Sequence, residues 1–194
     1  MDDFKSDMKP EPDQEEFIDD ESLRFIKKTR KEIEDYPPSS VVWPMFCNWV
    51  NKHNKGKGGK PSPYTAPIPA GYNIINYDMP IVRRYCKRYN VGWDAEREDQ
   101  KIFSQVYPID IMHHMWFWFE NNPDLQNLKL DTIREYMGFS QAAKDGAHDA
   151  LNDSNDSAQI VVRLLKMERY MTQLNTNDDG TQFRRLEMKG CMSK

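Results

Sequence analysis

Between residues 66 and 139, short apolar runs and amphipathic runs take turns, and that alternation limits what this chain can fold into. "APIPAGYNIINYD" (66–78) predicts a short buried strand running into a turn, and "MPIVRRYCKRYN" (79–90) predicts a helix with Pro80 in its first turn. "VYPID" (106–110) predicts a second strand ended by Asp110. "IMHHMWFWFE" (111–120) predicts an apolar helix, and "KLDTIREYMGF" (129–139) a shorter one ended by Gly138. Strand and helix in alternation point to an α/β domain.

The flanks bound this domain. Upstream, "VVWPMFCNWVNKHN" places Val42, Met45, Phe46, Trp49 and Val50 at helical spacing, capped by Ser39 or Ser40. The glycine-rich, basic run 55–64 fits a solvated connection better than a phosphate contact. Downstream, 147–171 predicts one long helix. The expected organisation is an acidic, largely irregular segment with a short helix (1–39), one domain (40–172) and a polar tail (173–194). Residues 1–21 hold ten acids against two lysines and predict a mobile stretch. Residues 22–35 read as a short basic helix with Ser22 as its N-cap.

Charge and cysteine use exclude several classes. Mean hydropathy is −0.87 and net charge −4, so the chain as a whole is no polyanion binder. Nucleic acid stays open as a substrate where basic residues cluster or metal ions bridge phosphates. Cys47, Cys86 and Cys191 have no metal-ligand spacing, which suits a reducing cytosol. No apolar run reaches membrane-spanning length, so a cytoplasmic protein without a membrane partner is expected.

Two places carry chemistry. Asp78 closes an apolar run and opens a helix, where the dipole supports a carboxylate aimed into a strand-end crevice. Read alone, it is an ordinary N-cap aspartate. His148 and Asp153 lie at the mouth of the last helix and can lean toward one crevice. A carboxylate there is a hard oxygen ligand for Mg²⁺, and an imidazole beside it can take a proton from metal-bound water. Read alone, they are a capped helix start. His113 and His114, in the apolar helix, read as packing or surface residues.

Taken in order, Asn73-x-x-x-Tyr77-Asp78 followed by His148-x-x-x-x-Asp153 resembles the second and third motifs of the DEDDh 3′–5′ exonucleases. That family includes the proofreading subunit of bacterial replicative polymerases and ribonuclease T. "YPIDIM", "LKLDTIREYMGF" and "WPMFCNWVNKHN" resemble its intervening elements, so the likeness spans roughly residues 40–170. The resemblance implies a ribonuclease H-like fold and hydrolysis of terminal phosphodiester bonds of DNA or RNA with two ions, Mg²⁺ or Mn²⁺. It implies that Asp153 and Asp78 hold metal, that His148 is the general base, that Tyr77 faces the substrate, and that Asn73 is a substrate-side or structural polar residue. Partners would be a DNA or RNA 3′ end and a polymerase, in a phage or bacterial setting.

The family's first motif, Asp-x-Glu on a central strand, has one upstream match, Asp19-Asp20-Glu21 in "EEFIDDESL". Only Phe17 and Ile18 precede it as apolar residues, whereas a buried strand reads as a longer Val/Ile/Leu run. Asp19 and Glu21 are therefore expected in a solvated acidic segment. The first motif and opening strands are expected to be missing from this chain or supplied in trans by an N-terminal fragment. The alternative is a non-catalytic relative that binds nucleic-acid ends or a polymerase.

Overall fold

The computed structural model describes residues 2–14, 18–56, 62, 64–139 and 150–174. The described residues form seven helices and two two-stranded sheets: α1 (Asp20–Phe25), α2 (Arg30–Glu34), α3 (Ser39–Asn51), β1 (Ala70–Gly71), α4 (Asp78–Tyr89), β2 (Trp93–Asp94), β3 (Asp99–Gln100), β4 (Ile109–Asp110), α5 (Ile111–Phe119), α6 (Leu130–Tyr136) and α7 (Ala150–Leu174). The mixed α/β class stands.

The strands are shorter than their apolar runs predict, and proline is the reason. β1 pairs in parallel with β4, Ala70 opposite Ile109 and Gly71 opposite Asp110. The carbonyls of Pro67 and Pro69 accept from the N–H groups of Ser104 and Ile109, at 2.8 Å each. Neither proline has an N–H to return, so the ladder cannot lengthen toward residue 66. Pro108 stops β4 in the same way. Ile68, expected to be buried, is 51% exposed. Among the described residues β1 pairs with β4 alone, which leaves its other edge open.

Two apolar clusters flank this strand pair. The first joins α3 and α4 to the β2–β3 hairpin through Trp43, Cys47, Val50, Val82, Tyr85, Cys86 and Ile102. The inward face of α3 is Val42, Trp43, Cys47 and Val50, a slightly different stripe from the one expected, and Met45 points outward. Pro38 stands at the N-cap position; Ser39 is the first helical residue and donates its hydroxyl to the carbonyl of Lys9. The second cluster joins α5, α6 and α7 through Ile111, Met115, Ile133, Ile160 and Leu164. α5 shows a further departure. Ile111 and Met115 are fully buried, but Trp116, Phe117 and Trp118 face outward despite the apolar sequence.

The β2–β3 hairpin closes over α4 through one glycine. Gly92 has φ +69°, and an added Cβ would lie 2.4 Å from Cγ2 of Ile102 in the core. Gly92→Ala combines left-handed strain with overpacking and should cost about 1–3 kcal/mol, read as a lower urea midpoint. A midpoint equal to the parent's would mean that the hairpin can shift away from α4.

The N-terminal acids are not simply solvated. Phe4 packs on Phe46 and Trp49, Asp2 pairs with His53 at 3.1 Å, and Asp13 takes two bonds from the Arg88 guanidinium. Tyr89 donates to Glu11. Residues 2–14 thus run along α3 and α4, because basic and aromatic partners distant in sequence meet them there. The single helix expected over 22–35 is two helices, broken at Lys27 with φ +55°. Asp19, not Ser22, caps the first, accepting from the Ser22 N–H at 2.7 Å, and Thr29 with Glu32 forms a capping box on the second. No helix among the described residues is long and apolar enough to cross a membrane.

Candidate functional site

Asp110 organises the strand ends. It is 2% exposed, and its carboxylate accepts from the N–H groups of Asn73 (2.9 Å), Ile75 (3.2 Å) and Met112 (3.1 Å). The last bond caps α5; the other two tie down the turn that leads from β1 to α4. That turn needs its first residue in the left-handed region, and Asn73 takes φ +57°, a conformation asparagine tolerates. The Asn73 side chain accepts from Asn76 Nδ2 at 2.8 Å, so it serves the turn itself. The backbone carbonyl of Asp110 lies 3.0 Å from His114 Nδ1.

The turn delivers Asp78 to the first position of α4. Partial desolvation, and then the charge of Asp110, hold its carboxyl above the usual carboxylate range. The residue as a whole nevertheless keeps more than a third of its surface open to solvent. Tyr77 beside it is exposed, and Tyr72 donates its hydroxyl to the carbonyl of Leu128. Burial first, and Asp110 second, push the Tyr72 phenol well up.

Asp153 lies on α7, which packs against β1. Its carboxylate is bound: Arg134 on α6 donates Nη2 to Asp153 at 2.6 Å and Nη1 to Asp131 at 2.7 Å. The same guanidinium places Nε 2.7 Å from Asp156 Oδ2, a contact of charge rather than an aligned hydrogen bond. Arg134 is 4% exposed. Burial works against its charge, but the bonds to Asp153 and Asp131 outweigh that and raise its pKa further. Asp156 is 7% exposed. His148 lies outside the described residues, as do Asp149 and Cys191.

Compared with protein-family models, curated proteins and solved structures, the chain matches none.

Asp19 and Glu21 sit apart from this site in structural role. Asp19 caps α1 and Glu21 is exposed in its first turn, so the Asp-x-Glu spacing falls on a helix start and not on a strand. Among the described residues, no three His, Cys, Asp or Glu side chains form a group that could hold a metal ion. As they stand, Asp78 offers one carboxylate, Asp110 is spent on backbone N–H groups, and Asp153 is spent on Arg134. This donor set does not fit two cations.

Arg134 and Asp110 are the residues that motif reading missed. A signal for Arg134 was present. Asp156 shares a helical stripe with Ile160 and Leu164, and a carboxylate on a buried stripe requires a cation. Nothing local marks Asp110 as the anchor of residues 73–75, since those partners lie 35 and 37 positions away.

Proposed function

We propose that this chain acts as a 3′–5′ exonuclease of the DEDDh type, or as the larger C-terminal part of one. It would have a ribonuclease H-like fold and take DNA or RNA 3′ ends as substrate. The observation that carries the reading is the placement of Asp78. A partly desolvated carboxyl heads α4 beside the ends of a parallel strand pair, with Asp110 near it and the Asp153 helix packed on β1. Ligand crevices of α/β sheets open at such strand ends.

Because the carboxylates of the described residues do not fit two ions, the proposal requires more of them, and the open edge of β1 is where a strand carrying Asp-x-Glu would pair. When bound, Mg²⁺ or Mn²⁺ would supply charge stabilisation and an activated water. The residues of this chain do the rest. Asp110 fixes the turn that orients Asp78, and Arg134 fixes α6 against the helix of Asp153. A second reading, a non-catalytic relative that binds nucleic-acid ends or a polymerase, is favoured by the Arg134–Asp153 pair, which occupies the third-motif carboxylate.

The test is stepwise release of mononucleotides from a 5′-labelled oligonucleotide with Mg²⁺ or Mn²⁺, using the chain together with any chain that contributes the Asp-x-Glu strand. Asp78→Asn, Asp153→Asn and His148→Ala should each slow release at least about a hundredfold. The Asp19→Ala/Glu21→Ala double variant should keep the parent rate. Parent-like rates in the Asp78 and Asp153 variants would overturn the exonuclease; oligonucleotide binding without hydrolysis in the complete protein would establish the second reading.

A further inference from the structure

α4 turns Val82, Tyr85 and Cys86 into the core, which leaves Arg83, Arg84 and Lys87 on its outer side. A groove of about 600 Å³ runs along that side, closed opposite by the β2–β3 hairpin and by residues 104–108. This volume lies within the range of ligand-binding clefts. At one end Ile75, Met79 and Pro80 line it, directly beside Asp78; Lys87 and Trp93 also line it. On a helix rising 1.5 Å per residue, Lys87 stands about 13 Å from Asp78 along the axis.

The charges of the groove are unevenly committed. Arg83 donates to the carbonyl of Glu98 at 2.7 Å and approaches Asp99 at 3.6 Å. Glu98 and Asp99 are the acids on the lining, and Asp99 also accepts from the Gln100 N–H. Arg88, further along α4, is held by Asp13 and Glu11. Arg84 and Lys87 are exposed, and among the described residues neither has a carboxylate within 4.0 Å. The ammonium of Lys87 instead lies over the ring of Trp93, 5.6 Å from its centre. Arg84, 5.8 Å over the ring of its neighbour Tyr85, and Lys87 on the α4 wall, facing Trp93 on the opposite one, put two exposed cations and an aromatic ring along the groove, the chemistry that follows a single nucleic-acid strand.

We infer that this groove is the track of a single-stranded nucleic acid, with Arg84 and Lys87 on its phosphates, leading the strand toward Asp78. The inference rests on the nuclease reading for its direction and on the groove for its ligand. Binding of a fluorescein-labelled oligothymidylate, followed by anisotropy with divalent cations chelated, tests it without hydrolysis.

Arg84→Ala/Lys87→Ala should weaken binding roughly tenfold or more and lower the salt slope by about 1.4, two phosphate contacts on a single strand. Lys166→Ala, an exposed cation on α7, should bind as the parent does, and unchanged urea midpoints should show that all variants fold. Thymidine monophosphate should compete weakly, because it offers one phosphate to a track built for several. No binding by the parent, parent-like binding and slope in the double variant, or a monophosphate as tight as the oligonucleotide would each overturn the track. Dependence on Arg84 and Lys87 in a protein that never hydrolyses DNA or RNA would leave the track standing and the exonuclease fallen; hydrolysis with no such dependence would do the reverse.

Discussion

Arg134→Ala should lower the unfolding free energy by about 3–5 kcal/mol. The guanidinium is buried and faces three carboxylates, but they do not matter equally. Asp131 is 64% exposed on its side chain, and water replaces its partner at little cost. Asp156 is 10% exposed on its side chain and meets Arg134 through charge alone, so the variant leaves an uncompensated buried carboxylate. Asp131→Ala should therefore change stability by less than about 1 kcal/mol. Arg134→Met combined with Asp156→Leu should recover most of the loss, because apolar groups of similar volume replace a buried pair well. Urea denaturation of the four proteins decides it. A loss below about 1 kcal/mol in Arg134→Ala would mean that α6 and α7 are held by Ile133, Ile160 and Leu164 without the ion cluster.

How much of this was legible in the sequence depends on how far apart the partners are. The helices at 78–89, 111–119 and 130–136 followed from apolar spacing, since a helix closes its bonds over four residues; of the three, only the second has a side-chain N-cap, Asp110, and Asp78 is the first helical residue, not the cap. Gly138, at φ +72°, follows α6 where the sequence placed its stop. The β2–β3 hairpin was not legible. Two-residue strands carry no alternation to read, and their support comes from buried Gln100 and from Arg83 on another element. The docking of residues 2–14 was hidden for the same reason. An acid-rich run reads as solvated until Arg88 and His53, 75 and 51 residues away, are folded against it. At the candidate site, Asp78 was placed correctly at a helix start, but the state of Asp153 depends on Arg134, 19 positions upstream, which no motif includes.

Asp110→Ala should cost roughly 3–5 kcal/mol, because one buried carboxylate serves two elements at once. Its bond to the Met112 N–H is the N-cap of α5, an interaction of about 1 kcal/mol when replaced by alanine. Its bonds to the Asn73 and Ile75 N–H groups are charge-assisted, and losing them frees a turn whose first residue already sits in the left-handed region. Asp110→Asn keeps one carbonyl acceptor at the same place, so it should lose less, about 1–2 kcal/mol. Two measurements separate the two jobs of this residue. The urea midpoint reports the total loss, and amide hydrogen exchange at residues 73–77 reports the turn; in Asp110→Ala the turn amides should exchange faster under native conditions even where the rest of the chain stays protected. The consequence for function follows from geometry, since the same turn ends at Asp78. A loosened turn sets Asp78 moving relative to β4, and any chemistry that depends on that carboxyl should fall in Asp110→Ala even in buffers where the protein remains fully folded. Unchanged exchange at residues 73–77 would show that the αL turn is held by the Asn73–Asn76 bond instead, and Asp110 would then be only the cap of α5.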